Sequence, residues 1–273
     1  ATVRTAVSII LPVDDCAQET LLQSLEAIAQ HTAPELFEVV LVNCAANRET
    51  RDLLESLSGD VVVIDGKTDW SYGAACNAAA QKALGKYLVF LKPGLVPAPG
   101  WLESLLQLAE TDYDVGAVGG QVLNQNGLLW QIGVAFDVNQ SPFALYRMLP
   151  REFAGANKQR EFEAVEFPLL VCRELFCQFG GFNSELHNRF DDIDFCLTLR
   201  RAGLRVVYTP GCVMTRVAAS WQVVPDKNVL SRMRFYSKWT GSLWQNDERY
   251  LREASLTHAG VSALYRGLAG RVA

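Results

Sequence analysis

Four short runs of nearly unbroken apolar residues constrain this chain more than anything else in it. They are Val7–Val13 (VSIILPV), Phe37–Val42 (FEVVLV), Asp60–Ile64 (DVVVI) and Lys86–Leu91 (KYLVFL). A strand that is apolar on both sides must be covered on both faces, which is the situation of a parallel strand between two layers of helices. The intervening segments have helical character. Leu21, Leu22, Leu25 and Ile28 fall at helical spacing, Glu49–Leu57 and the alanine-rich Ser71–Leu84 follow, and Trp101–Ala109 comes after the last run. Strands and helices in strict alternation predict an α/β fold with a doubly wound, mostly parallel central sheet flanked by helices.

The second half has a different texture. Val115–Val122, Leu128–Phe136 and Phe167–Cys172 read as strands, and residues 137–164 read as one long loop. Loops of that length inside a compact domain are uncommon unless they serve a function. A helix is expected over Asp192–Ala202. It has acids at its start, Arg200 and Arg201 in its last turn and Gly203 just beyond, as a helix dipole and a C-terminal glycine cap favour. Leu204–Tyr208 reads as a strand ended by Pro210-Gly211, and Asn228–Tyr250 as helical. No linker or repeat stands out. The organisation expected is one domain over 1–225 and a helical C-terminal extension over 226–273 packed on it.

Composition excludes several classes. The chain has 273 residues, 49% hydrophobic and 20% charged, so disorder is not expected. A net charge of −5 argues against a nucleic-acid partner bound through a broad basic face. No apolar run reaches the ~18 residues of a membrane span, and Ala1–Val13 lacks the h-region and cleavage site expected of a signal peptide. Seven scattered cysteines with no CxxC, and only three histidines, make a Cys/His metal site a poor reading. Buried free thiols and a cytoplasmic location are expected. The start at Ala1 is what a piece of a longer chain would show.

Four segments in order carry a resemblance. They are VSIILPVDD from Val7, WSYGAACNAAAQKALGKYLVFLKPG from Trp70, GAVGGQVLNQNGLLWQIGVAF from Gly116, and FGGFNSELHNRFDDIDFCLTLRRAGLRVVYTPGCVM from Phe179. Together they resemble family-two glycosyltransferases of the GT-A (Rossmann-like) fold over roughly residues 5–220. The resemblance implies inverting transfer of a sugar from a nucleotide-sugar donor to a saccharide or glycoconjugate acceptor, as in polysaccharide biosynthesis. It implies that Asp192, the second acid of the family's E-D pattern, is the catalytic base, with Asp191 beside the substrate. Pro12, Asp14, Asn43, Asn77 and Gly73 match positions around the nucleotide. Trp130, Gln131, His187 and the 137–164 loop lie where the family builds its acceptor site. Trp70, Phe143, Tyr146 and Phe153 are candidates for stacking on sugar rings.

Three positions depart from the family's pattern. Asn43 stands in place of the aspartate that reads the nucleobase. Lys92-Pro93-Gly94 replaces the N-P-D that leads into the metal-holding acid, and Arg216 replaces a late histidine that completes the metal shell. Divalent cations take oxygen ligands, chiefly carboxylates. Lys and Arg offer donors only. No metal cofactor is therefore expected, and Lys92 and Arg216 become candidates for direct contact with the donor diphosphate. Read from spacing alone, Asp191 and Asp192 are equally acids that stabilise a helix start. A catalytically inactive module that binds saccharide or scaffolds a partner transferase is the alternative. A nucleotidyltransferase is more remote, because that chemistry needs paired acids for metal. The stretch Leu256–Val272 has apolar residues and two arginines; it would pack on the core, touch a partner domain, or lie peripherally on the inner face of a membrane.

Overall fold

The structure, a computed structural model, describes residues 6–14, 18–44, 47–57, 61–187, 190–217 and 229–253. Chain order runs β1 (Val7–Val13), α1 (Gln18–His31), β2 (Phe37–Asn43), α2 (Arg48–Ser56), β3 (Val62–Asp65), α3 (Tyr72–Lys82), β4 (Tyr87–Phe90), β5 (Leu95–Pro97), α4 (Trp101–Thr111) and β6 (Val115–Leu123). It continues through β7 (Leu129–Gln131), β8 (Val134–Phe136), β9 (Pro142–Ala144), β10 (Arg160–Glu161), β11 (Leu169–Cys172), α5 (Arg173–Gln178), α6 (Asp191–Arg201), β12 (Arg205–Arg216), α7 (Val229–Trp239) and α8 (Asp247–Glu253).

The apolar runs occupy the middle of the sheet. Every residue of β1 and β4 is buried, and burying each large aliphatic side chain stabilises by ~1.5–3 kcal/mol. β1 pairs in parallel with both β2 and β4, and β3 extends the sheet beyond β2. Helix starts are capped locally. The Asn47 side chain accepts from the Thr50 N–H at 2.8 Å, and the Ser71 hydroxyl accepts from the Ala74 N–H at 3.2 Å. The expected α/β architecture is the one observed, with strand order β10-β12-β6-β11-β4-β1-β2-β3.

The second half departs from the sequence reading in four places. First, the strand expected over Leu128–Phe136 is two strands, β7 pairing with β6 and β8 with β9. The break falls at Ile132-Gly133, where the Phe162 ring packs so close that a Cβ on Gly133 would lie 2.3 Å from it. Second, the 137–164 loop contains β9 and β10 and is tied to the core; Leu129 N–H donates to Leu149 O and Val134 N–H to Ala164 O, both at 2.9 Å. Third, β12 does not end at Pro210-Gly211. The pair sits in a bulge, where Gln121 Nε2 donates to Pro210 O, and the strand resumes in register with β6 as far as Thr215. Fourth, the tail is two helices, interrupted near Gly241, which takes φ +75°.

Residue pairs across α6 and α7 fasten the tail. Trp239 Nε1 donates to Asp194 Oδ1 and Lys238 Nζ to Asp194 Oδ2, both at 2.8 Å. Phe235 stacks on Phe190 with ring centroids 4.5 Å apart. The proposed boundary at 225/226 and the Leu256–Val272 stretch lie outside the described residues. Six described cysteines are unpaired, but Cys177 is exposed and Cys44 and Cys172 are half-buried, which corrects the expectation that all are buried. Among the described residues no helix is long and apolar enough to cross a membrane.

Candidate active site

The parallel strands deliver their C-terminal ends to one edge of the sheet, where ligands of open α/β sheets bind. Val13 of β1 is in register with Asn43, and Asn43 with Asp65 at the end of β3. Pro12 is buried within β1 opposite Val42, and Asp14 is exposed just beyond the strand. Asp65 went unnoticed in the sequence; its signal is that it is the first polar residue after an apolar strand.

Further along the same edge, Lys92 leaves β4. Its Nζ lies 5.1 Å from the Tyr72 ring centroid and 5.0 Å from that of Phe167, within the range of a cation–π contact. The two rings pack on each other at 4.7 Å, and Tyr72 Oη donates to Leu91 O at 2.8 Å. The β12 bulge matters here, because the continued strand brings Arg216 opposite Leu95 of β5. Val217 N–H then closes on Gly94 O at 2.9 Å. Lys92 and Arg216 therefore flank one turn.

Helix α6 supplies the acids. It starts from Phe190, held at φ +65° by its stacking on Phe235. Asp191, Asp192 and Asp194 occupy its first turn, all buried. The carboxylate of Asp192 accepts from the Ile193 N–H at 2.9 Å. Burial raises its pKa, and Lys92 opposes that shift. Asp191 is pushed up to about 8, by burial first and by the Asp192 charge second. Its Oδ1 meets no hydrogen-bond partner among the described residues. It lies where a Cβ on Gly73 would be 2.6 Å away, so only glycine fits there. Glu166, half-buried ahead of β11, is pushed up to about 7, by burial and then by Asp192; Arg147 and Lys92 act in the other direction.

Trp130 completes the cluster. The Arg147 guanidinium carbon is 3.7 Å from its ring centroid and that of Arg216 is 4.1 Å. Arg147 Nε also donates to Trp130 O at 3.2 Å. Burial lowers the Arg216 pKa, and the Arg147 charge lowers it further. Arg147 sits between two non-glycine residues in the left-handed region, Tyr146 at φ +56° and Met148 at φ +66°. Such backbone costs ~1–3 kcal/mol per residue and persists only where its surroundings enforce it.

Several expected residues are placed elsewhere. Asn77 is committed to the protein itself: its Oδ1 accepts from Phe182 N–H at 2.9 Å and its Nδ2 donates to Phe182 O at 2.8 Å. It braces the loop at Phe182 against α3. His187 is exposed at φ +44°, and no described contact ties it to the cluster. Tyr146 is buried, with its hydroxyl donating to Tyr250 O at 2.8 Å and Phe153 packed edge-on against it. Neither is a free stacking surface. Gln131 is likewise internal, donating to Phe167 O at 2.5 Å. Glu166 and Arg147 were missed. Each is a lone charge in an apolar run, Glu166 within Ala164–Cys172 and Arg147 within Phe143–Pro150.

A consequence for stability follows from Asp191. A carboxyl whose pKa is raised by folding binds its proton more tightly in the native state. Its contribution is fully present below the unfolded value, near 4, and is lost as pH rises through about 8. Each pH unit over which the states differ by a full proton is worth about 1.4 kcal/mol. Asp191→Asn is expected to raise the melting temperature at pH 8 by several degrees and to change it little at pH 4. Thermal unfolding at both pH values checks this; an equal shift at both would show that folding leaves the Asp191 pKa at its ordinary value.

Glycosyl transferase family 2 matches residues 8–207. Over 215 residues the chain is 31% identical to the uncharacterized protein y4gI of Sinorhizobium fredii (strain NBRC 101917 / NGR234), covering 75% of this chain and 23% of that one. Over 268 residues it is 33% identical to the O-antigen biosynthesis protein RfbC of Myxococcus xanthus, covering 92% and 20%. The chain thus spans about a fifth of the length of these relatives. Two solved structures share the fold. GalNAc-T7 with UDP, GalNAc and Mn2+ superposes at a TM-score of 0.65, with 16% identity over 93% of this chain and 55% of that one. The mannosyltransferase PcManGT of Pyrobaculum calidifontis with GDP-Man and Mn2+ superposes at 0.57, with 20% identity over 79% and 58%.

Proposed function

The chain belongs to glycosyl transferase family 2, and on that premise we propose that it is an inverting glycosyltransferase domain whose donor diphosphate is held by cations of the chain in place of a metal ion. One observation carries the reading. Lys92 and Arg216 flank the turn after β4, and Lys92 is near enough to the acid pair at the start of α6 to oppose the rise in both their pKa values. The alternative of an inactive module is not favoured, because acids and cations still converge on that edge.

Both structural neighbours hold Mn2+, and a divalent ion does not fit the donors here. Ammonium and guanidinium groups have no lone pair to give. Among the described residues no group of three His, Cys, Asp or Glu could hold a metal. The family's leaving group nevertheless needs positive charge as it departs, and Lys92 and Arg216 supply it.

The step balances as follows. The Asp192 carboxylate takes the proton of an acceptor hydroxyl. That oxygen forms a bond to the anomeric carbon from the face opposite the diphosphate. The bond from the anomeric carbon to the phosphate oxygen breaks, and its electron pair leaves on the nucleoside diphosphate. The products are an inverted glycoside, a nucleoside diphosphate and protonated Asp192, which returns its proton to solvent. Asp14, Asn43 and Asp65 line the strand ends where the nucleoside would lie. Surface-polysaccharide assembly is the setting in keeping with the O-antigen relative, with a saccharide or glycoconjugate as acceptor.

Calorimetry with UDP, GDP, CDP and dTDP sugars, each with Mn2+ and with EDTA, tests the reading. Binding is expected to survive EDTA and to weaken about tenfold or more in Lys92→Ala and in Arg216→Ala, the worth of a charge-assisted contact. Binding that requires Mn2+, or no binding to a folded protein, would overturn it.

A further inference from the structure

The Arg147–Trp130–Arg216 stack has no counterpart in the proposed step, which uses Lys92 and Arg216 alone. Two guanidinium carbons lie 3.7 and 4.1 Å from one indole centroid. Like charges so placed oppose each other, and the Arg216 proton is held less tightly through burial first and the Arg147 charge second. The backbone is bent to produce this arrangement. Tyr146 and Met148 are both left-handed, and the turn is pinned from every side. Leu145 N–H donates to Gly133 O at 2.9 Å, Met148 N–H to Leu129 O at 2.7 Å, and Tyr146 Oη to Tyr250 O at 2.8 Å. A strained turn thus carries one cation onto the ring that already holds another, and such strain persists only where its surroundings enforce it.

We propose that Arg147 is a third cation of the leaving-group site, contacting the diphosphate alongside Lys92 and Arg216. The inference rests on the metal-free reading above and deepens it. Its logic is charge matching. A nucleotide sugar carries about two negative charges on its diphosphate, and the nucleoside diphosphate released carries about three. Lys92 and Arg216 match the ground state. Arg147 matches the charge that appears as the bond to the sugar breaks, and an interaction stronger there than in the bound substrate is one that accelerates the step. Arginine suits this because its fork makes paired contacts to phosphate oxygens while its flat face stays on the indole. Trp130 is then a platform that holds both forks in place.

The test is calorimetry in EDTA with UDP and GDP, their monophosphates, and UDP-glucose and GDP-mannose as probes. Wild type is compared with Arg147→Ala, Arg147→Lys and Trp130→Leu. Arg147→Ala is expected to weaken the nucleoside diphosphate that binds wild type by about tenfold to thirtyfold, as one charge-assisted contact would. The matching nucleotide sugar and monophosphate are expected to weaken by no more than about threefold. Arg147→Lys restores part of the loss, and the affinity falls less steeply with added salt in Arg147→Ala than in wild type, a readout that mere packing would not move. Trp130→Leu reproduces the pattern more weakly. A diphosphate affinity within twofold of wild type in Arg147→Ala, with Lys92→Ala still defective, would overturn the role of Arg147 and leave the metal-free reading standing. Equal losses for all three probes would overturn the charge matching. Wild type that binds no probe in EDTA would overturn the reading itself, and this inference with it.

Discussion

Asp192→Asn will release nucleoside diphosphate about a hundredfold to ten-thousandfold more slowly than wild type while binding the donor sugar within about threefold. The substitution removes the one property the step needs. An amide keeps the oxygen that accepts from the Ile193 N–H, so the start of α6 is preserved, but it cannot take a proton from an acceptor hydroxyl. A positioned base is worth about 10²- to 10⁴-fold. Wild-type rate will also carry the signature of the site. Burial raises the Asp192 pKa, so the rate will climb with pH through a value above the ordinary carboxylate range, and that limb will be missing in the variant. The melting temperature will hold or rise, because a buried charge is removed with no hydrogen bond lost. A variant that turns over normally, or one that loses activity only by unfolding, would leave Asp192 as no more than a helix-start acid.

Asp194→Ala will have the largest effect on stability, about 3 kcal/mol. Two residues on, and on the same helix, this carboxylate does something different from Asp192. It is almost fully buried, and both of its oxygens are taken by α7, one by Trp239 Nε1 and one by Lys238 Nζ. Removing one member of a buried pair strands the other, at a cost of about 3–5 kcal/mol. We take the lower figure because Lys238 keeps access to water. In a domain of this size that corresponds to a fall in melting temperature of about 6–12 °C. Asp194→Asn will fall between, since its carbonyl can still accept from the indole. The damage will reach the site: Phe235 of α7 stacks on Phe190, and Phe190 sets the left-handed entry into α6. Thermal melts of the two variants check this, and equal stability in wild type and Asp194→Ala would remove α7 from the support of the site.

The first half of the fold was legible in the sequence because parallel strands buried on both faces leave a direct mark. Val7–Val13 is predicted and observed with the same ends. The second half was less legible because distant neighbours decide its breaks. Phe162 breaks the strand at Gly133, and Gln121 secures the bulge at Pro210. Neither contact leaves a local pattern. Proline and glycine are ordinarily strand enders, so β12 is shortened on paper and Arg216 is cut off from the strand that delivers it. The candidate site divides in the same way. Asp192, Lys92 and Trp130 were visible through resemblance to a family pattern. Glu166 and Arg147 were not, because each acquires its neighbours from segments far away in the chain. Asn77 shows the converse: a pattern match that the structure spends on holding its own backbone.

The position of β11 has a consequence for how such a chain is made. It is the one strand joining two parallel blocks, β4-β1-β2-β3 on one side and β6-β12 on the other, and it runs antiparallel to both its neighbours. A nascent chain that has emerged through residue 164 already contains β4 and β6, yet nothing that can sit between them. Each then presents a bare apolar edge, the kind that pairs with other chains. Four residues, Leu169–Cys172, close both edges at once. Because these pairings join distant parts of the sequence, they form late and slowly. During synthesis β11 follows β4 and β6 but precedes β12, so the seam between β4 and β6 can close while the other side of β6 stays open until Arg205–Arg216 arrives.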